Sequence, residues 1–170
     1  MSVEIIRISK NENLSERLSS APESTRVLVL VIEGEPIVTS LKSPNKPLIG
    51  VLKCDVSLEL INFFHLCFAD KSVKIGGLEA QDLAKSGLIN DVLDSESLES
   101  HVIVMAERIA SLAPLAISGF LEAVNMGMKM PLEESLVFEA QLFSKILATR
   151  DAAEGINAFL QKRRPDFQAS

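Results

Sequence analysis

The sequence predicts an α/β fold, with a parallel sheet in its first part and a block of helices after it. The stretch 26–32, RVLVLVI, is apolar at nearly every position. That pattern suits a strand covered on both faces, which is the habit of parallel sheets dressed with helices. Strand and helix signals then alternate through residue 93, an order that belongs to α/β rather than all-α proteins. Finally, 98–167 reads as consecutive amphipathic segments whose apolar faces need cover, either from the strands upstream or from another subunit.

Taken in order, 3–8 is a short β-branched run with partial alternation, read as an edge strand. Residues 11–24 are polar, with room for a turn or two of helix near 14–20. After the strand at 26–32, Glu33 and Gly34 end the run, Pro36 follows, and 37–41 extends the chain further. The segment 43–47, SPNKP, is a turn with a restricted backbone, and 48–52 is the next inner strand. Residues 56–66 read as a helix with Leu58, Ile61 and Phe64 on one side. Apolar pieces at 67–69 and 73–75 flank a turn at Asp70 and Lys71. A short helix over 79–85 closes at Gly87, a strand returns over 88–93, and Asp94 or Ser95 caps the next helix.

The helical block breaks at Pro114, at GMKMP (127–131) and at TRD (149–151), giving segments near 95–113, 114–126, 131–147 and 151–161. In the first, Leu98, Val102, Met105, Ile109 and Leu112 recur at intervals of three and four. Glu133 and Glu134 follow Pro131 in a first turn, favourable against the helix dipole. Asp151 with Glu154 three residues on has the form of a capping box. The last four residues are expected to be disordered.

Composition bounds the function. A chain of 170 residues suits one domain, with about 70% of its extended surface buried on folding. Net charge is −6 with mixed signs, so neither nucleic acid nor an anionic membrane is an expected partner. Apolar windows are broken by charge well short of the roughly 18 residues a membrane span needs. Cys54 and Cys67 form neither a disulfide framework nor a metal-ligand spacing, and a reducing, cytoplasmic setting fits. No metal is expected.

Chemistry-bearing residues are sparse. Cys54 and Asp55 follow an inner strand, where α/β folds place ligand contacts, although Asp55 serves equally well as a helix cap. His65 sits between Phe64 and Leu66 and reads as a half-buried histidine, kept in view for its near-neutral pKa. Gly76 and Gly77 lack the third glycine of a phosphate-binding fingerprint. Lys162, Arg163 and Arg164 end the last helix, where positive charge suits the dipole and leaves room for a phosphate contact.

Several stretches, in order, resemble the enoyl-CoA hydratase/isomerase (crotonase) superfamily. They are GLEAQDLAKSGLINDVL (77–93), AERIA with APLAI (106–117), AVNMG (123–127), PLEESL through Glu139, and RDAAEGINAFLQKRRPDF (150–167). Upstream, RVLVLV (26–31), KPLIGVL (46–52) and FADKSVKIG (68–76) resemble the strands that carry the family's site. The resemblance implies a shortened crotonase-like spiral core over 1–97 and a C-terminal helical, trimerising region over 98–167. It also implies a homo-oligomer, a trimer or dimer of trimers, and an acyl-CoA ligand. In that family two backbone N–H groups polarise a thioester carbonyl and stabilise an enolate, often the largest catalytic term.

The chain departs from the family where the chemistry lies. Only 35–45 separates Gly34 from Lys46, where the family has its first oxyanion loop and a helix with one glutamate. KCDVSLEL (53–60) replaces the glycine-rich second loop, and Gly76 runs directly into Gly77 where a segment with the other catalytic glutamate is expected. Glu59 matches a structural helix glutamate, not a catalytic one. By position the N–H of Val56 or Ser57 is the nearest counterpart of the second donor, with Asp55 and His65 as weak candidates for proton transfer. Arg164 and Phe167 match residues that in many members reach the phosphate and adenine of coenzyme A. Three readings result: an inactive or impaired structural or regulatory subunit that self-associates or docks on a full-length homologue; a hydratase/isomerase with a reduced site; and a non-catalytic CoA-binding module.

Overall fold

The computed structural model describes residues 3–38 and 45–170. Most of 37–41 and the start of the 43–47 turn lie outside the described residues. Two compact units result, 1–109 and 110–170.

The first unit is built on a five-stranded, wholly parallel sheet in the order β1-β2-β3-β4-β7. Its strands are β1 Val3–Ile8, β2 Val27–Ile32, β3 Leu48–Leu52, β4 Leu66–Asp70 and β7 Asp91–Leu93. Every residue of β2 and β3 is buried, as their unbroken apolar runs require of inner strands. β1 lies at an edge, with Ile5 exposed and Ile6 and Ile8 turned in. Leu28, Leu30 and Ile32 join Ile8, Leu48, Leu52, Leu60 and Ile75 in one core on one face. Because side chains alternate along a strand, Val29, Val31 and Val51 belong to the other face. Helix α3, Ser95–Ala110, covers that face. Its Leu98, Val102 and Ala106 are fully buried, and the His101 ring stands 5.9 Å from that of Phe68.

Short elements link the strands. Helix α1, Leu14–Ser19, is capped by Asn13, whose side chain accepts the Ser15 N–H. A two-stranded hairpin, β5 Lys74–Ile75 and β6 Leu78–Glu79, precedes α2, Ala80–Lys85, which ends at Gly87 with φ 79°. α3 begins at Ser95, with the Asp94 carbonyl accepting the Leu98 N–H.

Two expectations are corrected here. Residues 56–66 are not one helix: a 3₁₀ helix covers only Leu58–Phe63, and β4 starts at Leu66. The cause is non-local. Val56 is held extended, its N–H on the Lys74 carbonyl and its own carbonyl taking the Gly76 N–H. At the other end Phe64 is extended and its ring lies over Gly50, where a Cβ would come within 2.5 Å of it. The strand expected over 88–93 shrinks to Asp91–Leu93, because Asn90 turns its side-chain oxygen onto the Cys67 N–H at 2.7 Å.

The second unit consists of α4 Pro114–Gly127, α5 Leu132–Leu147 and α6 Arg150–Leu160, with breaks at the proline, GMKMP and TRD punctuation. Pro114 opens α4, where its missing N–H costs nothing. α4 and α5 pack closely, the Ile146 side chain lying against Gly119. Among the described residues no single helix is long and apolar enough to cross a membrane.

The capping of α6 is also corrected. Thr149, not Asp151, is the cap, its Oγ1 accepting the Ala152 N–H. Asp151 is buried and its two carboxylate oxygens accept the Gln168 and Ala169 N–H groups at 2.8 and 3.0 Å. The Asp151 N–H in turn donates to the Ser170 carbonyl. The last residues, expected to be disordered, are therefore strapped along α6. The carboxylate is satisfied by distant amides, which a reading of local spacing does not see.

Candidate functional site

The segment after β3 is where the sequence placed its best chemical candidates, and of these Asp55 and the Val56 amide are bonded to neighbouring backbone. Asp55 is exposed, and its Oδ1 accepts the Lys74 N–H at 2.7 Å, tying the loop to β5. The Val56 N–H is spent on the Lys74 carbonyl at 3.2 Å. Ser57 stands extended at the start of the 3₁₀ helix, with an exposed side chain. Cys54 is half-buried, and burial first, then the charges of Asp55 and Glu35, push its thiol pKa up, away from a reactive thiolate. Cys67 is buried, which pushes its pKa up to about 12.

His65 faces the opposite end of β3. Its ring Nδ1 accepts the Leu48 N–H at 3.0 Å, while the His65 backbone N–H donates to the Leu48 carbonyl at 2.9 Å. The imidazole thus continues the β3–β4 ladder by one step, and the ring is neutral with its proton on Nε2. Burial lowers its pKa. Since the folded value lies below the ordinary 6.5, the unfolded chain binds the proton more readily. Stability is therefore full above pH 6.5 and falls as pH drops through it toward the folded pKa. We expect His65→Phe to cost about 1 kcal/mol at pH 8, from the orphaned Leu48 N–H, and to flatten the dependence just below pH 6.5. Urea melts at several pH values check this; an unchanged slope would show that the imidazole does not titrate with unfolding.

At the far ends of β1 and β3 lies an ionic cluster that local sequence does not single out. Glu99 of α3 takes Arg7 Nη2 at 2.7 Å and Lys53 Nζ at 2.6 Å, and Arg7 also reaches Glu33 at 3.0 Å. Hydrogen bonds from Arg7 and then Lys53 hold the Glu99 carboxyl at about 2. Nearby, Asp70 is buried and accepts from Ser72 and Ser95, which lowers its pKa. Every charge here is paired, so the cluster clamps α3 to the sheet. Among the described residues no group of three His, Cys, Asp or Glu side chains is placed to hold a metal.

The candidates at the C-terminus belong to the second unit. Phe167 packs its ring over Gly155, whose Cβ would lie 3.6 Å from it. Arg163 makes a two-pronged pair with Glu154, at 2.5 and 2.7 Å, and Glu154 also accepts the Asp166 N–H. Arg164 is exposed. The motif residues Asp151, Glu154, Gly155, Arg163 and Phe167 thus work together as a clasp for the tail.

A sequential parallel sheet followed by a helical unit with a strapped C-terminus defines an α/β scaffold. The model of the Enoyl-CoA hydratase/isomerase family matches residues 58–170. A 2,3-dehydroadipyl-CoA hydratase of Escherichia coli is 38% identical over 110 residues, which is 64% of this chain and 43% of the relative. A probable mitochondrial enoyl-CoA hydratase of Dictyostelium discoideum is 34% identical over 139 residues, 81% of this chain and 50% of the relative. In fold, the crystal structure of an enoyl-CoA hydratase/isomerase from Mycobacterium paratuberculosis superposes with a TM-score of 0.84 at 17% identity, covering 99% of this chain and 96% of that one. The chain belongs to the enoyl-CoA hydratase/isomerase family. It spans about half the length of the curated relatives it matches.

Proposed function

We propose that this chain is a catalytically impaired crotonase-like subunit that acts by associating, with copies of itself or with a full-length homologue. One observation carries the reading: the helical unit leaves a broad apolar surface open. Phe120, Met128, Leu132, Leu136, Phe143 and Phe159 are all exposed, and large apolar side chains left open in one unit mark a surface for association. The engagement of the Val56 amide, the Asp55 carboxylate and the His65 imidazole with neighbouring backbone supports the loss of chemistry. A general acid or base needs hydrogen-bonding reach to the moving proton, and these groups are already taken.

The names of the relatives support a second reading, in which a coenzyme A thioester is hydrated at a reduced site that uses Asp55 or His65; Arg164 and Phe167 belong to a third, the non-catalytic CoA-binding module. Incubation of the full chain with crotonyl-CoA, together with calorimetry on coenzyme A, separates the two. The expected result is no hydration above the uncatalysed rate. Turnover that disappears in Asp55→Asn or His65→Gln would establish the second reading and remove the first.

A further inference from the structure

β3 begins where the chain is short of donors. Pro47 has no N–H to give, so the Leu48 N–H is the first that the strand can offer. It is taken by the ring Nδ1 of His65 at 3.0 Å, a side chain standing where a parallel ladder ordinarily supplies a carbonyl. The His65 backbone N–H donates to the Leu48 carbonyl, so both polar groups of Leu48 end on one residue. One step back, the Pro47 carbonyl accepts the Leu28 N–H at 2.9 Å, and Lys46 Nζ donates to the Glu23 carbonyl at 2.7 Å. Residues 46–48 thus tie the amino end of β2 to that of β4. From Ile49 onward β3 runs in regular register with β4, starting opposite Leu66.

We infer that His65 is a proton-operated latch: when the imidazole takes up a proton, residues 46–48 and the start of β2 come loose, while β3 from Ile49 stays in the sheet. The added proton goes to Nδ1, the atom that holds the Leu48 N–H. An imidazolium donates at both nitrogens, so Nδ1 no longer accepts, and two N–H groups are left facing each other. Leu48 is 1% exposed, so its N–H reaches water only if the strand end opens. Arg26 ahead of β2 and Lys46 ahead of β3 are the charged side chains that the adjoining strands bring to this end of the sheet. Burial, rather than either cation, lowers the pKa of the ring. Cys67, two residues on, stays a neutral thiol, its pKa pushed up to about 12 by burial. The open form titrates near the ordinary 6.5 and the closed form below it, so opening is favoured as pH falls through 6.5. The device needs neither association nor thioester chemistry and stands apart from the function proposed above.

Amide hydrogen exchange on the full chain, followed by NMR, tests it. Rates are expressed as protection factors, which removes the intrinsic pH dependence of exchange. Between pH 7.5 and 5.5 protection at Leu48 and Leu28 should fall several-fold, to a limit of about tenfold for a group that titrates near 6.5 when open, while Leu30 and Val51 hold theirs. His65→Asn is the decisive variant: its Oδ1 stands where Nδ1 stood and accepts the Leu48 N–H without titrating. Protection at Leu48 should then be kept at pH 7.5 and no longer fall at pH 5.5. Should that variant not fold, the wild-type imidazole carries the test. Its Nδ1 should resonate as the bare nitrogen at pH 7.5 and titrate below 6.5, with the same midpoint as the shift of the Leu48 amide proton. Unchanged protection in the wild type, a fall that persists in His65→Asn, or a proton on Nδ1 at pH 7.5 would each overturn the latch.

Discussion

Gly34→Ala should destabilise the first unit by about 3 kcal/mol, the upper end of what a forced backbone shift costs. Gly34 is buried where β2 leaves the sheet, and a Cβ there would stand 2.3 Å from the Lys10 nitrogen and 2.6 Å from its Cα. Those neighbours are main-chain atoms and cannot swing aside as a side chain would. The two chain segments are also bound together just beyond: Asn11 donates to the Glu35 carbonyl, Leu14 to that of Ile37, and Ile37 to that of Glu12. Opening a gap at residue 34 strains each of these bonds. In urea the midpoint should fall with the slope unchanged, the mark of lost stability without a changed unfolded state. A loss below about 1 kcal/mol would mean that the paired loops yield as a body and that the contact is looser than the geometry shows.

Glu99→Gln should cost about 2 kcal/mol at neutral pH, allowing for the solvent that reaches Arg7. Glu99 is the hub that joins α3 to β1 through Arg7 and to the end of β3 through Lys53. Its carboxyl, ordinarily near 4.5, is held at about 2 by those two cations. A depressed folded value means that the unfolded chain takes up the proton first. The stabilisation is therefore complete above pH 4.5 and is withdrawn as pH falls from there toward 2. Wild type and variant should accordingly converge in stability as acid is added below pH 4.5, and salt should narrow the gap at neutral pH. Denaturant titrations across that range read the effect. Parallel curves, with the difference constant from pH 7 to 3, would show that Glu99 acts by packing rather than by charge.

The residues that were legible from sequence share one property: their surroundings are dictated by their near neighbours in the chain. The unbroken apolar runs of β2 and β3 declared strands covered on both faces, and the sheet is parallel with both strands wholly buried. Proline and the other breaks at 114, 127–131 and 149–151 divided the last helices within a few residues of their ends, because a break in periodicity is itself local. The family likeness rests on the same kind of signal, an ordered series of short motifs. Residues 56–66 misread for the complementary reason. Their spacing is helical, but Val56 and Phe64 are held extended by Lys74, Gly76 and Gly50, partners that no window of helical length contains.

Sequence by itself therefore settled the α/β class, the inner and edge strands, the breaks between the last helices and the family. Tertiary structure alone decided which polar groups are already spoken for: Asp55 and the Val56 amide by Lys74, His65 by Leu48, Asp151 by the tail, Glu99 by Arg7 and Lys53. Periodicity records which way a side chain faces, because neighbouring dihedrals fix that direction. It does not record what is met there, since a hydrogen-bond partner well outside that window is brought up only when the fold closes.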